Sequence, residues 1–270
     1  MLFLTANLGR IAAMSASIRY VLLAVSLAMF LPTAARAAGG IEVVTEEMPP
    51  YNMTENGKVT GFSTDIVRAV MKEAGIDAPI QVMPWARAYD RALSVPNVLI
   101  YSIARTPERE ALFEWVGPIA PTNWYIYSLA ERPVTLHSLE DARGQKIATV
   151  NMDVGQQFLL SRGFKMGTEL QSTSRYENNY RMLKIEHVGL WISNELNAIY
   201  LMRQNGDDPD KALVRSLPLP ELSSPEGLSL AFSKGTSPAI VERFRQALQT
   251  VRRNGTYDSV MSTWFSKGTD

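Results

Sequence analysis

The first third of the chain alternates short apolar runs with segments of helical periodicity. Three runs have the length and composition of buried strands, at residues 41–45, 80–83 and 98–103. Between the first two runs, residues 66–74 show helical periodicity. We expect Ser63 or Thr64 to cap this helix and Gly75 to end it. With a short helix predicted over residues 85–93, the order of strands and helices is that of an α/β layer.

The same alternation begins again in the second half of the chain. Strands are predicted at residues 146–150, 188–193 and 212–217. Helices are predicted at residues 155–162, 176–184 and 194–204, and residues 136–144 are predicted to form a small helix and a loop. A further strand at residues 228–232 precedes a helix with Ser237 as its N-cap and Pro238 in its first turn. Two α/β units are therefore predicted within one chain.

The N-terminal segment has the features of a secretory signal peptide. Residues 1–37 contain three arginines and no acidic residue, and residues 20–31 form an almost uninterrupted apolar run. The small residues around Arg36, in Ala-Arg-Ala, then provide a cleavage site. A transmembrane anchor is the alternative, but spanning the hydrocarbon needs about 20 apolar residues, more than this run supplies. Met14 would serve as an alternative start, so translation of residues 1–13 is left open.

Composition and charge argue against nucleic acid and anionic membrane as partners. The chain has 270 residues, of which 46% are hydrophobic and 20% charged, as is typical of a globular protein. Removing the three leader arginines from 27 basic residues leaves 24 against 27 acidic residues, a net charge of about −3. No basic patch dominates, so no nucleic-acid partner is expected. With no cysteine for a disulfide or a lipid anchor, we expect a protein free in the periplasm.

The chain contains no signature of a cofactor or metal site. It has no glycine-rich phosphate loop and no Gly-x-Ser-x-Gly elbow. Its two histidines, His137 and His187, are far apart in sequence, and we expect them at the surface or in hydrogen bonds rather than on a metal. The sequence therefore predicts no cofactor, no metal and no catalytic residue.

Four motifs stand in a recognisable order along residues 41–266. They are residues 45–51 (Thr-Glu-Glu-Met-Pro-Pro-Tyr) with Gly-Phe-x-x-Asp-Ile at 61–66, residues 102–109 (Ser-Ile-Ala-Arg-Thr-Pro-Glu-Arg), residues 188–195 (Val-Gly-Leu-Trp-Ile-Ser-Asn-Glu) and residues 252–257 (Arg-Arg-Asn-Gly-Thr-Tyr). Each motif is weak alone. Together, behind a signal peptide, they resemble the family-3 extracellular solute-binding proteins, the polar amino-acid receptors of ABC importers.

The resemblance implies an α/β fold of the type II periplasmic-binding class, with two α/β lobes joined by a two-strand hinge. Residues 38–122 and 226–270 would form lobe 1, and residues 123–225 would form lobe 2. A ligand would lie in the cleft and become buried when the hinge closes. We expect a monomer that captures a small polar ligand, an amino acid or a related amine or carboxylate, for an ABC permease in the inner membrane.

Arg109 is the first candidate for ligand binding. Its guanidinium offers a rigid fork of donors that matches a carboxylate, and in the family the arginine of this motif holds the ligand's α-carboxylate. The alternative is a surface arginine within the charged run at residues 105–110. Ser102 and the backbone of Ala104 are expected to supply further donors. Because the family often has Ser or Thr in place of Ala104, one hydroxyl contact is expected to be missing.

Aromatic and acidic residues complete the expected lobe-1 half of the site. Tyr51 and Trp85 are candidate walls for the ligand's carbon skeleton, because flat rings bury large areas at low entropic cost. Packing in the core is the alternative, weighted equally for Trp85. Glu46 and Glu47 stand where an acid often lines the rim of the cleft, so they could hold a cationic end of the ligand.

The lobe-2 half departs from the family pattern. Asn194 stands where the family normally has an aspartate that pairs with the ligand's α-ammonium, and asparagine can accept a hydrogen bond but contributes no charge. Asp153 is a candidate to supply the missing negative charge. The alternative, weighted equally, is that Asp153 only caps the following helix, which is worth about 1 kcal/mol. These departures leave amines, modified amino acids and other small carboxylates open as ligands.

Three functions are compatible with the sequence, and transport is preferred. The second is an enzyme on the same scaffold, resembling the cyclohexadienyl dehydratases, which would need an acid such as Asp153 or Glu195 against a leaving hydroxyl. The third is a ligand sensor for a separate signalling partner. Because nothing in the sequence singles out a catalytic acid and the fold does not fix the function, we predict binding without catalysis.

Overall fold

The strands form two five-stranded sheets and a short hairpin. The computed structural model describes residues 40–223 and 227–265. The predicted signal peptide at residues 1–37, with the open question about residues 1–13, lies outside the described residues. Both sheets belong to the unit that begins at Ile41.

Twelve strands and eight α-helices are described. The strands are β1 (Glu42–Thr45), β2 (Met53–Glu55), β3 (Lys58–Thr60), β4 (Ile80–Val82), β5 (Val98–Ala104), β6 (Phe113–Ala120), β7 (Trp124–Leu129), β8 (Ile147–Val150), β9 (Leu170–Thr173), β10 (Leu190–Asn194), β11 (Leu213–Pro218) and β12 (Leu228–Ser233). The helices are α1 (Phe62–Glu73), α2 (Trp85–Ser94), α3 (Pro107–Glu110), α4 (Val154–Ser161), α5 (Tyr176–Lys184), α6 (Glu195–Gln204), α7 (Pro238–Arg253) and α8 (Thr256–Phe265), and a 3₁₀ turn covers Leu139–Ala142.

The two sheets share one arrangement of strands. The first has the order β4-β1-β5-β12-β6 and the second the order β9-β8-β10-β7-β11. In each, the first three strands are parallel and the last two pair antiparallel. The fourth strand is β12 in the first sheet and β7 in the second. Each is the first strand that the chain forms after it crosses from the other sheet. The chain therefore forms two α/β lobes connected by two crossings.

Helices cover the sheets and explain their apolar central strands. In the first lobe α2 packs against β5, while α1, α7 and α8 pack against one another. In the second lobe α5 packs against β8, β9 and β10. Every residue of β5, β10 and β12 is buried, because central strands covered by helices have little contact with water.

Most of the predicted strands and helices are present, and one predicted helix cap is wrong. Helix α1 begins at Phe62, so Ser63 and Thr64 lie inside its first turn and are buried. The backbone N–H groups of this turn donate instead to the carbonyl oxygens of Pro50 and Tyr51, at 2.8 to 3.3 Å. A neighbouring loop thus takes the place of a side-chain cap.

Several strands are absent from the sequence-based prediction. Strand β6 contains Gly117 and Pro118, which normally argue against a strand. It lies at the edge of the first sheet, where a proline that donates no hydrogen bond is tolerated. The β2–β3 hairpin lies in the segment predicted as turn-rich, and β7 and β9 are also unpredicted. None of the helices described has the length and apolar character needed to cross a membrane.

Candidate functional site

The polar candidates lie where parallel strands end. Glu46 directly follows β1, and Asp153 is the third residue after the end of β8. Asn194 is the last residue of β10, and Arg109 lies in the short helix that follows β5. Because ligands of open α/β sheets bind outside the carboxyl ends of the strands, this edge of each lobe is the candidate site.

Arg109 is almost completely buried, with 1% of its surface exposed. Its Nη1 donates to the carbonyl oxygen of Ala104 at 3.2 Å, and its Nη2 and Nε donate to Oε1 of Gln157 at 2.9 and 3.2 Å. The guanidinium also lies 5.4 Å from the ring centre of Trp85 and 4.9 Å from that of Tyr89. Burial lowers the pKa of Arg109. A buried guanidinium whose bonded acceptors are neutral is well suited to hold an anion.

Two carboxylates, Glu46 and Asp153, are buried beside this arginine, with 4% and 2% of their surfaces exposed. Oδ1 of Asp153 accepts from the backbone N–H of Gln156 at 2.7 Å, which caps α4, and the hydroxyl of Tyr176 donates to Oδ2 at 3.3 Å. Burial raises the pKa of Asp153 to about 7. Burial, followed by the charge of Asp153, raises the pKa of Glu46 well above its usual range.

These charged groups share a small cavity of about 10 Å³, which has room for about one water molecule. Its walls are Glu46, Met48, Trp85, Ser102, Ala104, Arg109, Trp124, Asp153, Val154, Tyr176 and Leu228. The buried Oγ of Ser102 and Nε1 of Trp124 have no hydrogen-bond partner in the described part of the chain. Since an unpaired buried polar group costs free energy, these two atoms are suited to meet a polar ligand.

Hydrogen-bonded contacts cross the cleft at several points. Besides the bonds from Arg109 to Gln157, Nε1 of Trp85 donates to the carbonyl oxygen of Met152 at 2.8 Å. Nδ2 of Asn197 donates to the carbonyl oxygen of Pro49 at 2.7 Å. Each contact joins a residue of the first lobe to one of the second, so the lobes are closed on each other in this structure.

A family comparison decides what kind of protein carries this cleft. The model of the bacterial extracellular solute-binding proteins, family 3, matches residues 41–267. The chain belongs to this family. The resemblance inferred from the four motifs is confirmed, and so is the expected fold of two α/β lobes.

The curated relatives of this family-3 solute-binding protein are distant. The arginine-binding extracellular protein ArtP of Bacillus subtilis is 21% identical over 80% of this chain and 82% of its own length. The L-cystine-binding protein TcyJ of Escherichia coli is 20% identical over 80% of this chain and 79% of its own length.

Solved structures share the fold of this family-3 protein. An ancestral arginine-binding protein bound to arginine superposes with a TM-score of 0.72, at 22% identity, covering 84% of this chain and 98% of that one. A histidine kinase sensor domain with similarity to periplasmic binding proteins gives the same TM-score, at 21% identity, covering 83% and 96%. At these identities the similarity establishes the fold.

Five predicted ligand-binding residues of the solute-binding protein line the cavity together. They are Trp85, Ser102, Ala104, Arg109 and Asp153. Asp153 does cap α4, as its alternative interpretation proposed, and it also faces the cavity. Trp85 is likewise both a packed core residue and a wall of the cavity. Each of these two side chains therefore has a structural role and also lines the cavity.

The other three predicted residues lie around the cavity. Asn194 is buried and caps α6, and its Nδ2 lies 3.5 Å from Sδ of Met48, a wall residue. Tyr51 is buried with its hydroxyl donating to the carbonyl oxygen of Pro121 at 2.9 Å, at the crossing between the lobes. Glu47 lies outside, accepting from the backbone N–H and hydroxyl of Thr54.

Two polar residues that line the cavity, Trp124 and Tyr176, were not predicted from the sequence. Trp124 opens β7 at the crossing, and Tyr176 opens α5. A signal for Trp124 was available, because the predicted lobe boundary at residues 122–123 lies beside it and the cleft lies between the lobes. Nothing in the sequence distinguishes Tyr176 from a core tyrosine.

A larger pocket of about 620 Å³ lies beside the small cavity and shares Arg109 and Val154 with it. The apolar side chains of Leu112, Phe158 and Leu222 line this pocket. The side chain of Arg109 therefore borders both spaces.

Proposed function

We propose that this chain is a periplasmic receptor that captures a small polar, amino-acid-like ligand between its lobes and presents it to an ABC permease of the inner membrane. One observation carries the proposal: Arg109 is buried in the cleft, and its hydrogen-bond acceptors are a carbonyl and an amide rather than a carboxylate. A ligand carboxylate can replace the neutral Oε1 of Gln157 and form a charge-assisted pair. The relatives named for arginine and cystine fit a ligand of this kind.

The other predicted residues in and around the cavity have proposed roles in binding the same ligand. Ser102 and the backbone of Ala104 would assist Arg109, Trp85 would cover the carbon skeleton, and Asp153 would face the amino group. Tyr51 and Asn194 would hold the surrounding wall, and Glu47 would lie at the rim.

Export and the lobe boundaries belong to the same proposal. A leader at residues 1–37 would direct the chain to the periplasm. Lobe 1 would comprise residues 38–122 and 226–270, and lobe 2 residues 123–225. These boundaries are supported by the positions of the two sheets. We expect a monomer that binds its ligand without converting it, as the names of the relatives suggest.

A sensory role is the second candidate, favoured by the likeness to a histidine kinase sensor domain. In both roles the cleft closes on a ligand. They differ in the partner that recognises the closed form.

The decisive experiment identifies what the cleft holds. Native mass spectrometry of the purified protein, followed by a thermal-shift screen of amino acids and amines, should reveal a small molecule that raises the melting temperature and is recovered unchanged. At a hundredfold excess over Kd the stabilisation should be about 2.7 kcal/mol. Conversion of the bound molecule would instead support an enzyme.

Arg109→Lys tests the anion-binding role. Lysine keeps the charge but loses the planar fork, so affinity for the identified ligand should fall at least about tenfold. Arg105→Lys is the matched control, because Arg105 lies in the same motif but is exposed and pairs with Glu110. Equal affinities of the two variants would remove Arg109 from the binding site.

A further inference from the structure

The pocket of about 620 Å³, which we call the interlobe pocket, is lined by residues of both lobes. Tyr89, Arg109 and Leu112 belong to the first lobe, and Gln157 and Phe158 belong to the second. Its volume lies within the range of small-molecule sites, which is about 300–1,000 Å³. The neighbouring cavity of about 10 Å³ has room for about one water molecule. In this closed form, a larger molecule therefore fits the interlobe pocket and not the small cavity.

Three apolar side chains from separate segments line the interlobe pocket. Leu112 lies between α3 and β6, Phe158 lies in α4, and Leu222 follows β11. Leu112 is 38% exposed although its side chain is apolar. Apolar side chains that converge on one space are typical of small-molecule sites, and covering them is favoured by the hydrophobic effect. These side chains therefore favour an occupant with an apolar body.

The guanidinium of Arg109 directs its Nε–Nη2 edge toward the interlobe pocket. Both nitrogens donate to one acceptor, Oε1 of Gln157, at 3.2 and 2.9 Å. Gln157 lines the interlobe pocket and is not among the residues that line the small cavity. By contrast, Nη1 donates to the carbonyl oxygen of Ala104, which lines the small cavity. The edge that faces Gln157 is one that a carboxylate can bind with both of its oxygens.

Among the described residues that line the interlobe pocket, Arg109 is the charged one that is buried. Glu108, Arg162 and Glu221 also line the pocket but are exposed, and Arg162 lies 3.8 Å from Glu221. Exposed charges are screened by water and contribute little. The guanidinium of Arg109 is 1% exposed, and its hydrogen-bond acceptors are neutral. The inner part of the pocket therefore favours an anion.

We propose that the interlobe pocket binds a carboxylic acid with an apolar body, such as an arylalkyl or branched-chain acid. Its carboxylate takes the place of Oε1 of Gln157 on Arg109, and its body covers Leu112, Phe158 and Leu222. An amino group is not needed, because the acidic residues described around this pocket are exposed. This inference rests on the anion-binding role of Arg109 in the proposed function. It adds a second class of ligand, apolar acids that lack the amino group of an amino acid.

Calorimetry with three probes tests both parts of the proposed ligand. 3-Phenylpropanoate has a carboxylate and an apolar body, 3-phenylpropanamide keeps the body but is neutral, and acetate keeps the charge without the body. 3-Phenylpropanoate should bind at least about tenfold more tightly than either of the others, because it alone combines charge-assisted hydrogen bonds with apolar burial. Equal affinities of 3-phenylpropanoate and either of the other probes would overturn the proposal.

Leu112→Gln tests the position of the apolar body. The polar side chain covers an apolar ring less favourably, so affinity for 3-phenylpropanoate should fall about three- to tenfold. Leu160→Gln is the matched control, because Leu160 is 39% exposed and lies on α4 but does not line the pocket. Since both residues are exposed, both variants should fold. Equal affinities of the two variants would place the acid elsewhere and refute the assignment of the pocket.

Gln157→Glu tests the position of the carboxylate. The introduced carboxylate pairs with Arg109 within the protein and competes with the acid, so affinity for 3-phenylpropanoate should fall at least about tenfold. Gln204→Glu adds the same charge at an exposed position on α6 and should leave the affinity unchanged. An affinity that is the same in Gln157→Glu as in the unmodified protein would rule out the proposed contact with Arg109.

Failure of this inference can be distinguished from failure of the proposed function. If the ligand identified by mass spectrometry binds and 3-phenylpropanoate does not, the apolar-acid site is disproved and the receptor function stands. Arg109→Lys, measured with the identified ligand, tests the receptor function separately.

Discussion

Gly61 shows how a single residue supports the site from a distance. It has a φ of 120°, and a Cβ atom at this position would lie 2.4 Å from the carbonyl oxygen of Tyr51. That oxygen is one of the acceptors for the first turn of α1. The loop that carries Glu46 and Met48 toward the cavity is therefore held by a backbone contact that only glycine permits.

Gly61→Ala should destabilise the protein by about 3 kcal/mol or more, because the added methyl group meets backbone and the positive φ adds strain. Gly57→Ala is a matched control. Gly57 also has a positive φ, of 73°, but apart from its chain neighbours no atom of the described residues lies within 4 Å of the place that its added methyl group would take, so this change should cost about 1 kcal/mol. Denaturant unfolding measures both values, and similar losses would show that the contact with Tyr51 is unimportant.

At the scale of elements, hydrogen bonds join segments of the two lobes across the cleft. The bond from Trp85 to Met152 joins the start of α2 to the loop before α4. The bond from Asn197 to Pro49 joins α6 to the loop after β1. Because these bonds exist only when the lobes meet, they stabilise the closed form over the open one.

Trp85→Phe should weaken ligand binding by about two- to tenfold, mostly through faster dissociation. The phenyl ring keeps the apolar wall, while loss of the indole N–H removes a hydrogen bond worth about 0.5–1.5 kcal/mol. Trp115→Phe is the control, because its Nε1 donates to the carbonyl oxygen of Glu110 within the first lobe. Stopped-flow dissociation rates measure both variants. A slower rate, or the same change in the control, would argue against a bond specific to the closed form.

At the scale of the whole molecule, two acids should give opposite dependences of stability on pH. Burial raises the pKa of Asp153 to about 7, whereas the unfolded chain loses this proton near pH 4. The folded protein therefore holds this proton more tightly than the unfolded chain does. The contribution of Asp153 to the free energy of unfolding is complete below about pH 4 and is lost as the pH rises to about 7. For Asp141, the backbone N–H groups of His137 and Ser138 lower the pKa, so its stabilisation is present above about pH 4 and is lost at lower pH.

Melting temperatures measured without ligand from about pH 2 to about pH 8 should separate the two effects. Relative to Asp153→Asn, the unmodified protein should lose stability as the pH rises. Relative to Asp141→Asn, it should gain stability over the acidic part of the range. Parallel curves for the unmodified protein and Asp153→Asn would contradict the burial of an ionisable Asp153.

Local patterns were enough to predict much of this molecule. Apolar runs identified β1, β5 and β12 because these strands are covered by helices and must be apolar. Four short motifs identified the family and the two-lobe fold. One of these motifs also contains Arg109, Ser102 and Ala104, predicted ligand-binding residues that line one cavity in the structure. Each of these predictions depends on residues that are close together in the sequence.

Other features depended on contacts between distant parts of the chain. The cap of α1 comes from a loop more than ten residues earlier in the chain, so Ser63 and Thr64 were mistaken for it. The edge position of β6 alone makes Pro118 acceptable. Trp124 and Tyr176 became site residues only when the two lobes closed on one cavity.

The sequence by itself determined the order of strands and helices, the family and the candidate anion-binding arginine, because periodicity and motif spacing are local properties. Only the tertiary structure decided which acids share a cavity, which polar atoms lack partners and whether Asp153 is buried. These properties arise from the approach of two lobes whose contacting residues are about 50 to 150 positions apart. Desolvation and charge balance are therefore consequences of closure and cannot be calculated from the sequence pattern alone.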